Sequence, residues 1–389
     1  MKYPLTSLLL SAAVAAFGQD MVCHINGTTS DPATKSILII EDGKDPRTLL
    51  EYISVPVVDG RFTYDLSTDG LRLFNIIPQN QYEHGTWMVA QFIAENQQLD
   101  VTLGDGNASP TLIGDGAETQ KERELRRLSD EKYLPLFRRF EAQQDSILAI
   151  AEAAEVDAWT DDNPLVVSFR EIDRKYDEAL NAMRADRLQL VADNPCFWGL
   201  TQIRNLLESG PLAAQAAAVY QSVYKPLYGG HPYSAEIEQL IAAKDLIPGN
   251  KYIDYEVTAA DGSDVMLSSL FSGKVIYIDL WASWCGPCRK HARELIPIYE
   301  KYKDRGFQII GIAREKEAEH LAAALAKEQY PWLNLLELND KHNIWLKNGL
   351  NRAAGGGFLI AADGTILAVY PTAAETDQLL HQFLATMQN

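Results

Sequence analysis

The stretch Trp281-Ala-Ser-Trp284-Cys285-Gly-Pro-Cys288 decides how the C-terminal part of this chain is read. It follows the apolar run Val275-Ile-Tyr-Ile-Asp-Leu280, short enough for a buried strand, and it opens a segment to about Tyr302 that reads as a helix. Two cysteines two residues apart on the first turn of a helix can close a small disulfide ring with little loop-closure entropy, and can reopen it. A helix N-terminus carries about half a positive charge and N–H groups without intrahelical partners, so it favours a thiolate at Cys285 over the thiol. That makes Cys285 a nucleophile near neutral pH, at the exposed end of the helix, with Cys288 one turn further in as the buried partner. Pro287 fits the first helical turn, where its missing N–H would have had no intrahelical acceptor.

Working outward, Ile247-Pro-Gly-Asn250 is a natural boundary, and strand and helix patterns alternate beyond it. Lys274–Leu280 and Phe307–Ile312 read as strands, Lys316–Lys327 as a helix, Phe358–Ala361 and Ile366–Tyr370 as a hairpin around Asp363-Gly364, and Glu375–Met387 as a closing amphipathic helix. This predicts a central mixed sheet with helices on both faces. Before the boundary, Glu118 to about Ala154 reads as a long charged helix bent at Pro135, followed by helices in Pro164–Ala192, Phe197–Glu208 and Pro211–Tyr228. Still earlier, six strand-like runs between Ser36 and Leu103, one of them beginning at Thr86, are separated by turn residues such as Asp59-Gly60. Their spacing suggests an antiparallel β-sandwich or barrel. The chain therefore reads as multidomain: a leader over 1–18, a β-rich domain over 19–116, a helical segment over 117–246 and an α/β domain over 247–389.

The leader is expected from Lys2, the apolar run Leu5–Phe17 and the small-residue site ending at Gly18, which together resemble a secretory signal. Nothing later approaches the ~20 consecutive apolar residues of a membrane-spanning helix. The sequence thus predicts a soluble, exported protein. Of its 389 residues 35 are basic and 53 acidic, a formal charge of -18, which argues against nucleic acid or an anionic membrane as the main partner. The remaining cysteines, Cys23 and Cys196, stand alone in apolar settings and read as inert buried thiols. Four cysteines in so long a chain make no disulfide framework, so the Cys-x-x-Cys pair reads as redox chemistry. No second cysteine pair closes a structural zinc site, and no cofactor is implied; Cys285, Cys288 and His291 as three metal ligands are the weaker alternative.

The run Val275 to Arg289 resembles the active-site strand and helix of thioredoxins, above all exported thiol-disulfide oxidoreductases of the cytochrome-maturation type. Gly273-Lys274 before the strand, Leu295-Ile-Pro297 on the helix and the Phe358…Gly364 hairpin extend the resemblance over about residues 245–389, and many such proteins carry an N-terminal extension. The resemblance implies a thioredoxin-like fold over that region, protein thiols or disulfides as substrates, an upstream membrane-bound electron donor, and a place in the periplasm or cell envelope. Cys285 would attack or be attacked, and Cys288 would resolve the mixed disulfide. Asp279, six residues before Cys285, stands where the family keeps a buried carboxylate that exchanges a proton with the second cysteine. Trp284 would shield the disulfide, and Trp281 would pack beneath it.

Two positions depart from that pattern. His291 stands where the exported reductases commonly have an acidic residue, and a protonated imidazole there would lower a neighbouring thiol's pKa. Gly355, within Ala353-Ala-Gly-Gly-Gly357, falls where the family places a cis-proline, so the substrate-facing edge is expected to be mobile and open. Two readings compete with a thiol-disulfide oxidoreductase that reduces its substrates. In one, the chain is a binding or scaffold protein whose thioredoxin-like domain has lost catalysis. In the other, it is a peroxidase, disfavoured because Ala282 occupies the place of the threonine such enzymes use.

Overall fold

The computed structural model describes residues 17–45, 47–48, 52–84, 89–104, 109–153, 163–208, 210–259, 261–351 and 353–386. Residues 1–16 of the expected leader, and the Thr86 start of one expected strand, lie outside the described residues. The described chain falls into two compact units, one of residues up to 37 with 55–235, the other of residues 38–54 with 236 onward.

The N-terminal region is β-rich. Its strands are β1 (Phe17–Thr29), β2 (Ser36–Glu41), β3 (Ile53–Pro56), β4 (Arg61–Gly70), β5 (Arg72–Pro78), β6 (Ala90–Ala94), β7 (Gln97–Leu103) and β8 (Thr111–Gly114). They make two four-stranded sheets, β4-β1-β7-β8 and β3-β2-β5-β6. The antiparallel expectation needs correcting: β1 runs parallel to β7, with Cys23 opposite Gln97 and Thr29 opposite Leu103. The chain passes through β2 to β6 between them, so no hairpin imposes an antiparallel direction. β1 was not among the strand-like runs of the sequence. It is nonetheless a period-two strand, with Met21, Cys23 and Ile25 buried and His24 and Asn26 exposed. Gly27 continues the buried face because a Cβ there would sit 1.9 Å from the Phe62 ring.

Helix α1 (Ala117–Ala153) begins where buried Glu95 accepts the N–H groups of Glu118 (3.1 Å) and Thr119 (2.7 Å), which supplies acceptors for the open first turn. Pro135 lies inside it. Helix α2 (Pro164–Asp193) starts at the Asn163 cap, whose side chain accepts from Leu165 N at 2.9 Å, with proline at the first helical position. The two helices pack antiparallel: Tyr133 donates to Asp186 at 2.6 Å, Arg187 pairs with Asp130 at 2.7 Å, and the rings of Phe137 and Tyr176 meet at 4.9 Å. Helix α3 (Phe197–Glu208) is almost wholly buried.

In the C-terminal region, β9 (Glu256–Thr258) and β10 (Asp264–Met266) form a small hairpin. A five-stranded sheet follows, ordered β13-β12-β11-β14-β15, from β11 (Val275–Trp281), β12 (Phe307–Glu315), β13 (Leu333–Leu338), β14 (Gly356–Ala361) and β15 (Ile366–Val369). β11 is central, parallel to β12 and antiparallel to β14, and every one of its residues is buried. Helices α4 (Gly286–Tyr302), α5 (Ala318–Glu328) and α6 (Ala373–Thr386) flank the sheet, with a single helical turn at Ile344–Lys347. Because successive side chains of a strand face opposite ways, β11 splits between two cores. Val275, Tyr277 and Trp281 pack with Ala292, Leu295 and Ile298 of α4, whereas Ile276, Ile278 and Leu280 pack with Ile344 and Trp345 on the other face. Asp279 therefore belongs to the face that α4 covers.

Candidate redox site

The cysteine pair sits where β11 hands over to α4. Cys285 is the N-cap, in extended conformation, and its sulfur accepts from Cys288 N at 3.2 Å; the two sulfurs are joined in a disulfide. Fixing that corner is Glu315, at the end of β12, fully buried and accepting from Ser283 N (2.5 Å) and Ser283 Oγ (2.8 Å). Burial raises its pKa. Below the corner, Trp281 is fully buried, donates from Nε1 to Asn334 Oδ1 at 3.2 Å and meets the Tyr330 ring edge-on at 5.4 Å. Arg289 pairs with Glu328, tying α4 to α5.

The exposures of the two cysteines are the reverse of the sequence expectation. Cys285 is only 5% exposed, while Cys288 is half-buried. The difference arises because Cys288 borders a cavity of about 250 Å³ whose walls include Asp279, Tyr277, His291 and Gly355–Gly357. Asp279 is 3% exposed, its Oδ2 has no hydrogen-bond partner, and burial alone pushes its carboxyl up to about 7. An acid of that pKa behind a disulfide can hold or release a proton near neutrality.

His291 is also at the cavity, but not as the cation the sequence suggested. Its Nε2 lies 2.9 Å from Tyr277 Oη, and burial lowers its pKa, so the neutral imidazole prevails at neutral pH. Burial keeps the Tyr277 phenol protonated, so the two groups share one hydrogen bond between uncharged partners. The glycine run likewise has a different cause from the expected open, mobile edge. Gly356 and Gly357 lie within β14, opposite Leu280 and Asp279 of β11. A Cβ on Gly355 would fall 2.2 Å from Leu280 O and 2.9 Å from Cys288 Sγ, and one on Gly357 would fall 2.1 Å from Tyr277 Oη. Glycine here permits close approach of backbone to the disulfide and to the Tyr277–His291 pair. Among the described residues no peptide bond is cis.

The structure thus gathers Asp279, Cys285, Cys288, Pro287, His291 and Gly355 around one corner, with Trp284 beside Cys285. Cys23 and Cys196 are both buried elsewhere, with thiols pushed up to about 12 by burial. Sequence reasoning missed Tyr277 and Glu315. Tyr277 is legible in hindsight, since it is two residues from Asp279 on a strand and so must share its face. Glu315 carries the weaker signal of an acid that closes an apolar strand.

A family model described as Redoxin matches residues 242–380. A probable phospholipid hydroperoxide glutathione peroxidase of Nicotiana sylvestris is 30% identical over 115 residues, which are 27% of this chain and 68% of that protein. The chain belongs to the thioredoxin-like redoxins. That membership rests on its C-terminal domain. The thiol-disulfide oxidoreductase ResA of Bacillus cereus is 33% identical to this redoxin over 64 residues, 16% of the chain and 36% of ResA. The thioredoxin domain of a thiol-disulfide oxidoreductase from Bacteroides vulgatus is 23% identical, with a TM-score of 0.32, covering 35% of this redoxin and 97% of that domain. The chain spans 36% to 68% of the length of the curated relatives it matches.

Proposed function

We propose that this redoxin is a cell-envelope thiol-disulfide oxidoreductase that exchanges disulfides with protein substrates, working as a reductase. What supports this is a cysteine pair at the N-terminus of a helix whose Cys288 lines one cavity with the buried Asp279, a carboxyl whose Oδ2 has no hydrogen-bond partner. In the reducing direction, Cys285 thiolate bonds to one sulfur of a substrate disulfide and the other substrate sulfur leaves as a thiolate. Cys288, its proton taken by Asp279, then attacks Cys285 Sγ, releasing the second substrate sulfur and forming the Cys285–Cys288 disulfide. Two electrons pass to the substrate, and a membrane-bound dithiol donor restores the enzyme pair. The N-terminal helix dipole stabilises the Cys285 thiolate that starts the cycle. Export to the periplasm or envelope is read from the expected leader, and no helix among the described residues is long and apolar enough to cross a membrane.

Reduction of insulin disulfides tests the reading. The wild-type dithiol protein is expected to precipitate the insulin B chain, and Cys285→Ser to leave insulin intact; equal activity in the two would sink it. A second reading, peroxide reduction, draws support from the relative named as a glutathione peroxidase. Consumption of hydrogen peroxide faster than of insulin disulfides would favour it. A scaffold role would show as neither activity in the wild type.

A further inference from the structure

Arg47 lies far outside the matched redoxin segment, yet it belongs to the same compact unit as the cysteine pair and touches the residue next to it. Its guanidinium carbon stands 4.0 Å from the centre of the Trp284 ring. Asp45 holds the guanidinium there, accepting from Nε at 3.0 Å and from Nη2 at 2.6 Å, and also accepts from Arg47 N at 2.9 Å. The next residue is anchored too: Thr48 Oγ1 donates to Asp340 Oδ2 at 3.3 Å, and Asp340 takes Nε (2.6 Å) and Nη2 (2.7 Å) of Arg314. Arg314 immediately precedes Glu315, whose carboxylate fixes Ser283. Trp284 is therefore held from both sides, its backbone through Ser283 and Glu315 and its ring through Arg47. The residue it precedes, Cys285, is nearly inaccessible.

We propose that Arg47 is a positioning residue for disulfide exchange: stacked on Trp284, it holds the indole where it limits the approach of a substrate sulfur to Cys285. The proposal rests on the reading of Cys285 as the sulfur that exchanges with substrate. An arginine suits the task because its planar group covers a ring face while its edge stays bonded to a carboxylate, which the ammonium of lysine does not reproduce.

The test is stopped-flow reduction of the full-length oxidised protein by excess 2-mercaptoethanol. Its thiolate bonds to Cys285 Sγ, the Cys285–Cys288 bond breaks, and Cys288 leaves as thiolate; a second 2-mercaptoethanol then frees Cys285. Arg47→Ala is expected to react about two- to fivefold faster, the factor that corresponds to one exposed cation–π contact. Arg47→Lys should also be faster than wild type. The equilibrium of the pair with glutathione should be the same in all three proteins, because positioning alters access and not the end states. The sign separates this role from electrostatic attraction of the thiolate, whose loss would slow Arg47→Ala. An unchanged or slower Arg47→Ala overturns the proposal, as does a wild-type rate in Arg47→Lys or a shifted glutathione equilibrium. Acid quenching and peptide mapping of the adduct keep the underlying reading separate. An adduct on Cys288 would sink the role given to Cys285 whatever Arg47 does, and with an adduct on Cys285 the rates alone decide the role of Arg47.

Discussion

Replacing Asp279 by asparagine removes an ionisable group from the centre of the sheet and keeps its shape. In the folded protein its carboxyl titrates at about 7, against 3.8 in its unperturbed state, because burial disfavours the charge. A folded pKa raised above the unfolded value adds stability that is fully present below the unfolded pKa and is lost as pH rises through the folded one. From pH 5 to pH 8 that loss amounts to about two pKa units, or about 3 kcal/mol. Asparagine does not titrate, so Asp279→Asn should become more stable than wild type at pH 8 by about 3 kcal/mol more than at pH 5. The assay is urea unfolding of the oxidised proteins at the two pH values, with hydrogen-exchange protection of the β11 amides reporting the C-terminal unit by itself. Glu337, another buried acid pushed up to about 7, is common to both proteins and cancels in the difference. A stability difference that does not vary with pH would refute the reasoning, because the carboxyl would then not be held protonated by burial.

Two further outcomes follow from the cavity wall. Gly355→Ala places a methyl 2.2 Å from Leu280 O and 2.9 Å from Cys288 Sγ, so β14 must shift away from β11, and a destabilisation of about 1–3 kcal/mol is expected in the same urea assay. His291→Glu replaces a neutral imidazole beside Cys288 with an acid, and should raise the apparent pKa of the Cys285 thiol, followed by thiolate absorbance or the pH dependence of alkylation. An unchanged titration would mean that residue 291 does not act on the pair.

What the sequence made legible was whatever depends on local pattern. Trp284-Cys285-Gly-Pro-Cys288 after an apolar strand marks the α/β domain and is what the proposed redox chemistry is read from, because strand period, proline at the first helical turn and cysteine spacing are all written within a few residues. Asp279 was legible by its spacing from Cys285. The exposures of the cysteines were not, since they depend on a cavity assembled from β11, α4, β14 and Tyr370, which are distant in sequence. The same holds for His291, whose charge is removed by burial and whose partner Tyr277 comes from another element. The glycine run was seen, but its reason was not, because only the fold shows that Leu280, Cys288 and Tyr277 fill the space a side chain would take. β1 was overlooked because its alternation carries Asn26 and Gly27 where β-branched residues were sought. The Arg47–Trp284 contact joins residues more than two hundred positions apart, beyond any local pattern.

In the proposed cycle Cys285 is the sulfur that exchanges with protein substrates and Cys288 the one that resolves. Trapping tests it most directly: with Cys288→Ser, the mixed disulfide cannot be resolved, and mass spectrometry of the adduct formed with an oxidised protein substrate reads the attachment point. One stable adduct, on Cys285, is expected, and none in Cys285→Ser. A substrate bound through Cys288 in Cys285→Ser, or no adduct in either variant, would contradict it.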